Sequence, residues 1–178
     1  IKSHPELAAI GGFRGGDSPI WPRYGKWGER WGGYYTHEDM REIIAYAKVR
    51  NIEVIPEIDL PGHSLTMATI HPEILCGYTP NLESSYGYDT RSAFCAAKES
   101  NYKLLSDILA EVCELFDTKY IHIGGDEVET SQWERCPDCQ ALMTKMGYTS
   151  PNQLQAYFMR RLSDMLAQHG KLPAVWNE

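Results

Sequence analysis

The chain has 178 residues, 43% of them hydrophobic, with 15 Gly, 10 Pro and a net charge of −7. This composition fits one globular unit with a sizeable core and excludes a disordered or fibrous chain. The acidic balance, without any basic cluster, argues against a nucleic-acid or anionic-membrane partner, and no apolar run approaches membrane-spanning length. In chain order, the first long element expected is a helix behind Thr36. Met40, Ile43, Ile44 and Ala47 recur at helical spacing, and Asp39 completes a Thr-x-x-Asp approximation to a capping box. Residues 52–58 then read as a short strand, with Pro56 near its end, where a missing N–H does least harm. A long loop is expected over residues 60–100.

A second helix over residues 101–116 carries a broad apolar face of Leu104, Leu105, Ile108, Leu109, Val112, Leu115 and Phe116. Cys113 lies within that pattern and reads as core packing. Residues 120–123 have the composition of a buried strand. Pro137 and Gly147 bracket a short helix, and Ser150-Pro151 opens a longer one by placing a cap before a proline at the first helical position. Leu154, Tyr157, Phe158, Leu162, Met165 and Leu166 form its buried face, Gly170 ends it, and residues 172–176 make a last short strand. Alternating helices and strands predict an α/β protein with a parallel sheet, whose ligand site lies at the carboxyl ends of the strands.

Three clusters of reactive side chains fall at those ends. Tyr120-Ile121-His122-Ile123-Gly124-Gly125-Asp126-Glu127 stops a β-branched run at two glycines and delivers two adjacent carboxylates. Carboxylates crowded in one site raise each other's proton affinity, so that one can remain an acid near neutral pH and donate to a leaving group. Pro56-Glu57-Ile58-Asp59-Leu60-Pro61-Gly62-His63-Ser64 places Asp59 and His63 beyond the first strand, where the imidazole can tune a nearby acid. Trp176 and Glu178 stand at the third strand. The plainer alternatives are a helix-capping role for the acid pair, a loop-carbonyl partner for His63 and barrel packing for Trp176.

The cysteines leave several options open. Cys76 and Cys95 bracket a loop rich in Gly, Tyr and Ser, which a disulfide would restrain. Cys136-Pro137-Asp138-Cys139 has the spacing of half a zinc site or a redox pair, but no second pair of ligands is apparent in the sequence. A local disulfide or two thiols is therefore the expectation. His63, His122, Asp59, Asp126 and Glu127 can also be gathered into a metal-dependent hydrolase site, although no helical His-pair motif is present. No metal or other cofactor is assigned. Trp133, and the aromatic stretch of Trp21, Tyr24, Trp27, Trp31, Tyr34 and Tyr35, are expected to pack loops.

His122-Ile123-Gly124-Gly125-Asp126-Glu127 and residues 56–64 resemble the two signature segments of family-20 glycoside hydrolases, the β-N-acetylhexosaminidases. Trp133, Val175-Trp176-Asn177-Glu178, Tyr35-Thr36 and the opening Ile1-Lys2-Ser3-His4-Pro5-Glu6-Leu7 follow at similar spacings. The resemblance spans nearly the whole chain. It implies a (β/α)8 TIM barrel that removes terminal N-acetylglucosamine or N-acetylgalactosamine from glycans or chitin oligosaccharides with retention of configuration. In this family the substrate's own acetamido group replaces the enzyme nucleophile. Glu127 matches the general acid and base, and Asp126 the residue that orients the acetamido group. His63 matches a histidine beside the acid, Trp176 an aromatic wall of the sugar pocket, and Asp59 stands behind the two acids. The resemblance also favours an exported location, periplasmic, secreted or lysosomal.

The family's further Arg, Tyr, Asp, Trp and Glu contributions would fall outside residues 1–178. The chain is thus expected to be a partial catalytic domain, from after barrel strand 2 to strand 5, with both ends cut from something larger. It would need the remainder of the barrel and be inactive alone, with exposed edges. A sugar-binding protein without turnover is the other reading of the same pocket.

Overall fold

A computed structural model describes residues 1–20, 28–77 and 92–177. From the amino terminus run α1 (Pro5–Ala9), the two-residue strands β1 (Phe13–Arg14) and β2 (Trp31–Gly32), α2 (His37–Lys48) and β3 (Glu57–Leu60). Next come α3 (Leu65–Ile70), a single 3₁₀ turn (Pro72–Ile74), α4 (Glu99–Leu115) and β4 (Tyr120–Gly124). The chain continues through α5 (Ser131–Arg135), α6 (Pro137–Met146), α7 (Pro151–Gln168) and β5 (Leu172–Ala174). β1 and β2 pair antiparallel, while β3, β4 and β5 form a parallel sheet in that order.

Parallel neighbours need long crossovers, and helices supply them here. α4 connects β3 to β4, and α7 connects β4 to β5. The two helices pack on each other and on the sheet. Leu154, Phe158, Leu162 and Leu166 recur every fourth residue of α7 and are fully buried, as are Leu105 and Leu109 of α4. Each such side chain contributes about 1.5–3 kcal/mol through removal of apolar surface from water. Ile121 and Ile123 of β4 meet them from the sheet. Cys113 is buried in this core, as its place in the helical pattern predicts.

Both long caps follow the expected chemistry. Thr36 Oγ1 accepts the Asp39 N–H at 3.1 Å, and the Asp39 carboxylate accepts the Thr36 N–H at 2.8 Å. Ser150 stands at the N-cap of α7, where the Gln153 side-chain oxygen accepts the Ser150 N–H at 3.1 Å. Glu111 near the end of α4 fastens the first residues to the helices. Its carboxylate accepts the N–H groups of Lys2 at 2.6 Å and Ser3 at 2.8 Å, and meets His37 Nε2 at 2.8 Å.

Three expectations shift. The strand expected over residues 52–58 begins only at Glu57, because the ladder to β4 starts where His122 N–H donates to Pro56 O at 3.0 Å. Ile52 and Ile55 lie exposed ahead of it. The region expected as one long loop contains α3 and the 3₁₀ turn. Trp31, Tyr34 and Tyr35 are exposed rather than packed, while Trp21, Tyr24 and Trp27 lie outside the described residues. Among the described residues, no helix is long and apolar enough to cross a membrane.

Candidate active site

Glu57 and Asp59 both lie on β3, whose register against β4 slips between Glu57 and Leu60, and Leu60 faces the core. Asp59 thus belongs to the strand itself rather than to the turn beyond it. His122 stands opposite Glu57 on β4, between the buried Ile121 and Ile123. Its Nδ1 lies 3.3 Å from Glu57 Oε1. The Trp176 indole N–H donates to the same Glu57 oxygen at 2.8 Å, and its ring lies 4.8 Å from the His122 ring, centroid to centroid. Trp176 N–H also donates to Gly124 O at 3.0 Å, which pins the chain beyond β5 to the exit of β4.

At that exit the glycines are a steric requirement. Gly124 has φ +71°, and a Cβ there would land on the Asp59 carboxylate, 2.8 Å from the Asp59 Cα. Gly125 follows at φ +105°. The turn they make delivers Asp126 and Glu127. Glu127 itself adopts φ +48°, and His63, beyond β3, adopts φ +51°. Left-handed backbone in residues other than glycine costs about 1–3 kcal/mol each and concentrates at functional sites. The two strained residues meet: His63 Nε2 lies 3.4 Å from Glu127 Oε2 and 3.6 Å from Asp126 Oδ2.

The two acids differ in setting. The Asp126 side chain is 21% exposed and that of Glu127 is 53% exposed, so the first is recessed and the second stands at the mouth. Glu127 borders a cavity of about 470 Å³ that also touches Gly125, Asn152, Gln155 and Met159. The carboxyl oxygens of Asp59 and Asp126 and a nitrogen of His63 all lie within 4.8 Å of one another. Burial, and then the neighbouring Asp126 charge, push the Asp59 carboxyl up to about 6. Carboxylate crowding thus reaches Asp59 from Asp126, across the two strands. Asp59 Oδ1 and Asp126 Oδ1 are buried without a hydrogen-bond partner among the described residues.

The sequence profile described as glycosyl hydrolase family 20, catalytic domain, matches residues 1–178. The chain belongs to that family. It is 41% identical to a β-hexosaminidase of Vibrio furnissii over 181 residues, covering 100% of this chain and 29% of that protein. The β-hexosaminidase subunit alpha of Mus musculus is 35% identical and covers 81% of this chain and 27% of its own length. The crystal structure of a family-20 exo-β-N-acetylglucosaminidase from Vibrio harveyi, in complex with N-acetylglucosamine, superposes with a TM-score of 0.87 at 38% identity. That match covers 99% of this chain and 28% of the other. The chain spans less than a third of the length of these relatives. The parallel β3-β4-β5 sheet with its crossover helices is part of a (β/α)8 barrel.

In this family-20 chain, Asp59, His63, Asp126 and Glu127 come together at the ends of β3 and β4. Trp176 stands at the end of β5, half-exposed rather than packed in a core, while Glu178 lies outside the described residues. Trp133 is fully buried, and its indole N–H donates to Phe94 O at 2.9 Å. Glu57 was not singled out in the sequence, yet it joins His122 to Trp176. Its place two residues before Asp59 on the same strand was the available signal. Among the described residues, two groups of side chains have donors close enough to share a metal ion. One is Asp59, His63 and Asp126; the other is Cys76, Cys95, Cys136 and Cys139, none of which is in a disulfide.

Proposed function

We propose that the full-length protein is a retaining exo-glycosidase that removes terminal N-acetylglucosamine or N-acetylgalactosamine from glycans or chitin oligosaccharides. Residues 1–178 would supply the barrel from after its second strand to its fifth, with β3, β4 and β5 as consecutive strands. The observation that carries the reading is the meeting of His63 with Asp126 and Glu127 at the carboxyl end of β4, with both His63 and Glu127 held at positive φ.

In this reading Glu127, the more exposed acid, protonates the departing glycosidic oxygen. Asp126 accepts the substrate's acetamido N–H, which turns the acetamido oxygen toward the anomeric carbon. That oxygen forms a bond to the carbon as the glycosidic bond breaks, giving a charged bicyclic intermediate that the Asp126 carboxylate stabilises. Water then attacks the anomeric carbon and passes its proton to Glu127, and the acetamido group is restored. A conventional retaining pair sits on opposite faces of the sugar, roughly 5–5.5 Å apart, which two consecutive residues at one strand end are poorly placed to do. A nucleophile supplied by the substrate removes that demand. His63 and Asp59 support the two acids, and the open face of Trp176 offers an apolar wall to the pyranose ring.

A metal-dependent hydrolase is the second reading, favoured by the closeness of the Asp59, His63 and Asp126 donors. Turnover of a chromogenic N-acetylglucosaminide and of the matching glucoside separates the two. Acetamido participation requires the glucoside to be nearly inert, whereas a metal-activated water has no use for the acetamido group. Glu127→Gln is expected to slow an unactivated substrate about 10²–10⁴-fold, the usual worth of a general acid. The loss should be smaller when the leaving group needs no proton. Equal cleavage of the glucoside, or small and equal losses in the variant, would overturn the assignment.

A further inference from the structure

The four cysteines other than Cys113 come from distant parts of the chain. Cys76 follows the 3₁₀ turn, Cys95 precedes α4, and Cys136 and Cys139 occupy the N-cap and first turn of α6. Cys95 Sγ lies 3.6 Å from Cys139 Sγ and 3.9 Å from Cys136 Sγ, and Cys76 Sγ lies 3.8 Å from Cys139 Sγ. All four sulfurs lie within 4.8 Å of one another. Four thiolates at the zinc–sulfur bond length of about 2.3 Å stand about 3.8 Å apart along the edges of a tetrahedron. The observed separations scatter about that edge. Two disulfides would instead divide the sulfurs into two pairs, and no such division is visible, since Cys139 approaches Cys76 and Cys95 alike.

We propose that Cys76, Cys95, Cys136 and Cys139 form a closed, four-thiolate structural zinc site. The Cys-x-x-Cys half-site finds its second pair in residues far away in sequence. The backbone around that second pair is already fastened. Cys95 N–H donates to Ile74 O at 2.8 Å, and the buried Asn101 amide donates to both Ile74 O and Cys95 O at 2.8 and 2.9 Å. Lys98 Nζ donates to Leu75 O at 2.6 Å, next to Cys76, so a positive charge stands beside a cluster that carries net negative charge when metallated. The amide groups opening α6 favour thiolate at Cys136 and Cys139.

Cys95, Cys136 and Cys139 are buried and Cys76 is partly buried, and with four protein ligands no position remains open for substrate. The role is structural, and its location gives it a target. Phe94, beside Cys95, donates its N–H to Pro61 O at 3.0 Å and accepts the Trp133 indole N–H at 2.9 Å. Pro61 leads into His63, and Trp133 follows Glu127 on the segment that runs to Cys136. The metal would thus clip together the bases of the two loops that carry His63 and the acid pair.

The test is elemental analysis of the full-length protein made in a reducing cytoplasm with zinc supplied. About one zinc per chain is expected, released by a thiol-specific mercurial. Cys76→Ser and Cys139→Ser should each lower bound zinc at least about tenfold, since even loss of an outer-shell partner weakens such sites about 10–100-fold. Cobalt exchanged into the unmutated protein should give a thiolate charge-transfer band and tetrahedral visible bands, a readout that does not depend on the variants folding. Zinc unchanged in both variants, iron in place of zinc, or metal-free protein with disulfides mapped among these four cysteines would each overturn the proposal.

Discussion

Asp59→Asn isolates the carboxyl that the barrel strands press against Asp126. Folding raises the Asp59 pKa from 3.8 to about 6, through burial first and the Asp126 charge second. An acid whose proton affinity rises on folding contributes stability that is fully present below its unfolded pKa and lost as the pH climbs through its folded pKa. The window is therefore about pH 4 to 6. At about 1.4 kcal/mol per pH unit, the displacement sets a ceiling of about 3 kcal/mol. Asp59 is only partly buried, and solvent screening reduces the expected size to about 1 kcal/mol. An asparagine does not titrate, and its amide N–H can stand where the Asp59 proton would face Asp126. Urea unfolding of the full-length protein and its Asp59→Asn variant, at pH values from about 4 to 7, reads the difference from the midpoints if the slopes agree. The variant should gain about 1 kcal/mol on the unmutated protein between the acidic and neutral ends. A gap that stays constant with pH, or grows toward acid, would refute the reasoning.

Three further outcomes follow from the same geometry. Gly124→Ala forces a Cβ onto the Asp59 carboxylate at positive φ, so a stability loss of about 2–5 kcal/mol in urea unfolding is expected, with turnover lost beyond what unfolding explains. Burial opposes ionisation of Glu111, but hydrogen bonds from Ser3, Lys2 and His37 outweigh it and draw the carboxyl down to about 2. Its contribution is present above pH ~4.5 and lost as the pH falls toward 2, so Glu111→Gln should lower the thermal midpoint at neutral pH and make no difference near pH ~2. Trp176→Ala should reduce kcat/KM about 10–100-fold through loss of the proposed sugar-facing wall. Trp176→Phe, which keeps a ring but not the bond to Glu57, should fall between that variant and the unmutated protein in the same assay.

The features that were legible in the sequence are those whose physics is local. Thr36 and Asp39 are three residues apart, and Leu154, Phe158, Leu162 and Leu166 of α7 repeat every fourth residue, so cap and buried face could be read directly. The Gly-Gly-Asp-Glu turn was legible because only glycine suits both its φ values and the approach to Asp59. A strand, by contrast, is defined by its partner. Ile52 and Ile55 have strong β preference yet find no ladder, whereas Glu57, a poor strand former, pairs with His122 of β4. The same limit hid Glu57, whose partner Trp176 is 119 residues away, and the cysteine cluster, whose closest pair of sulfurs joins residues 95 and 139. It also hid which carboxylate would be perturbed, because adjacency in sequence suggested Glu127 beside Asp126 and adjacency in space supplied Asp59.

The left-handed backbone at His63 and Glu127 has a consequence for anyone engineering this protein. Glycine or asparagine would suit either position better than the residue now there, so a selection for thermal endurance alone would drift toward replacing both. In the proposed mechanism, the acid Glu127 and its supporting residue His63 occupy two sites where the fold has least use for them. A library ranked by melting temperature should therefore enrich replacements at positions 63 and 127, just beyond β3 and β4, and on the proposed mechanism those proteins would be inactive.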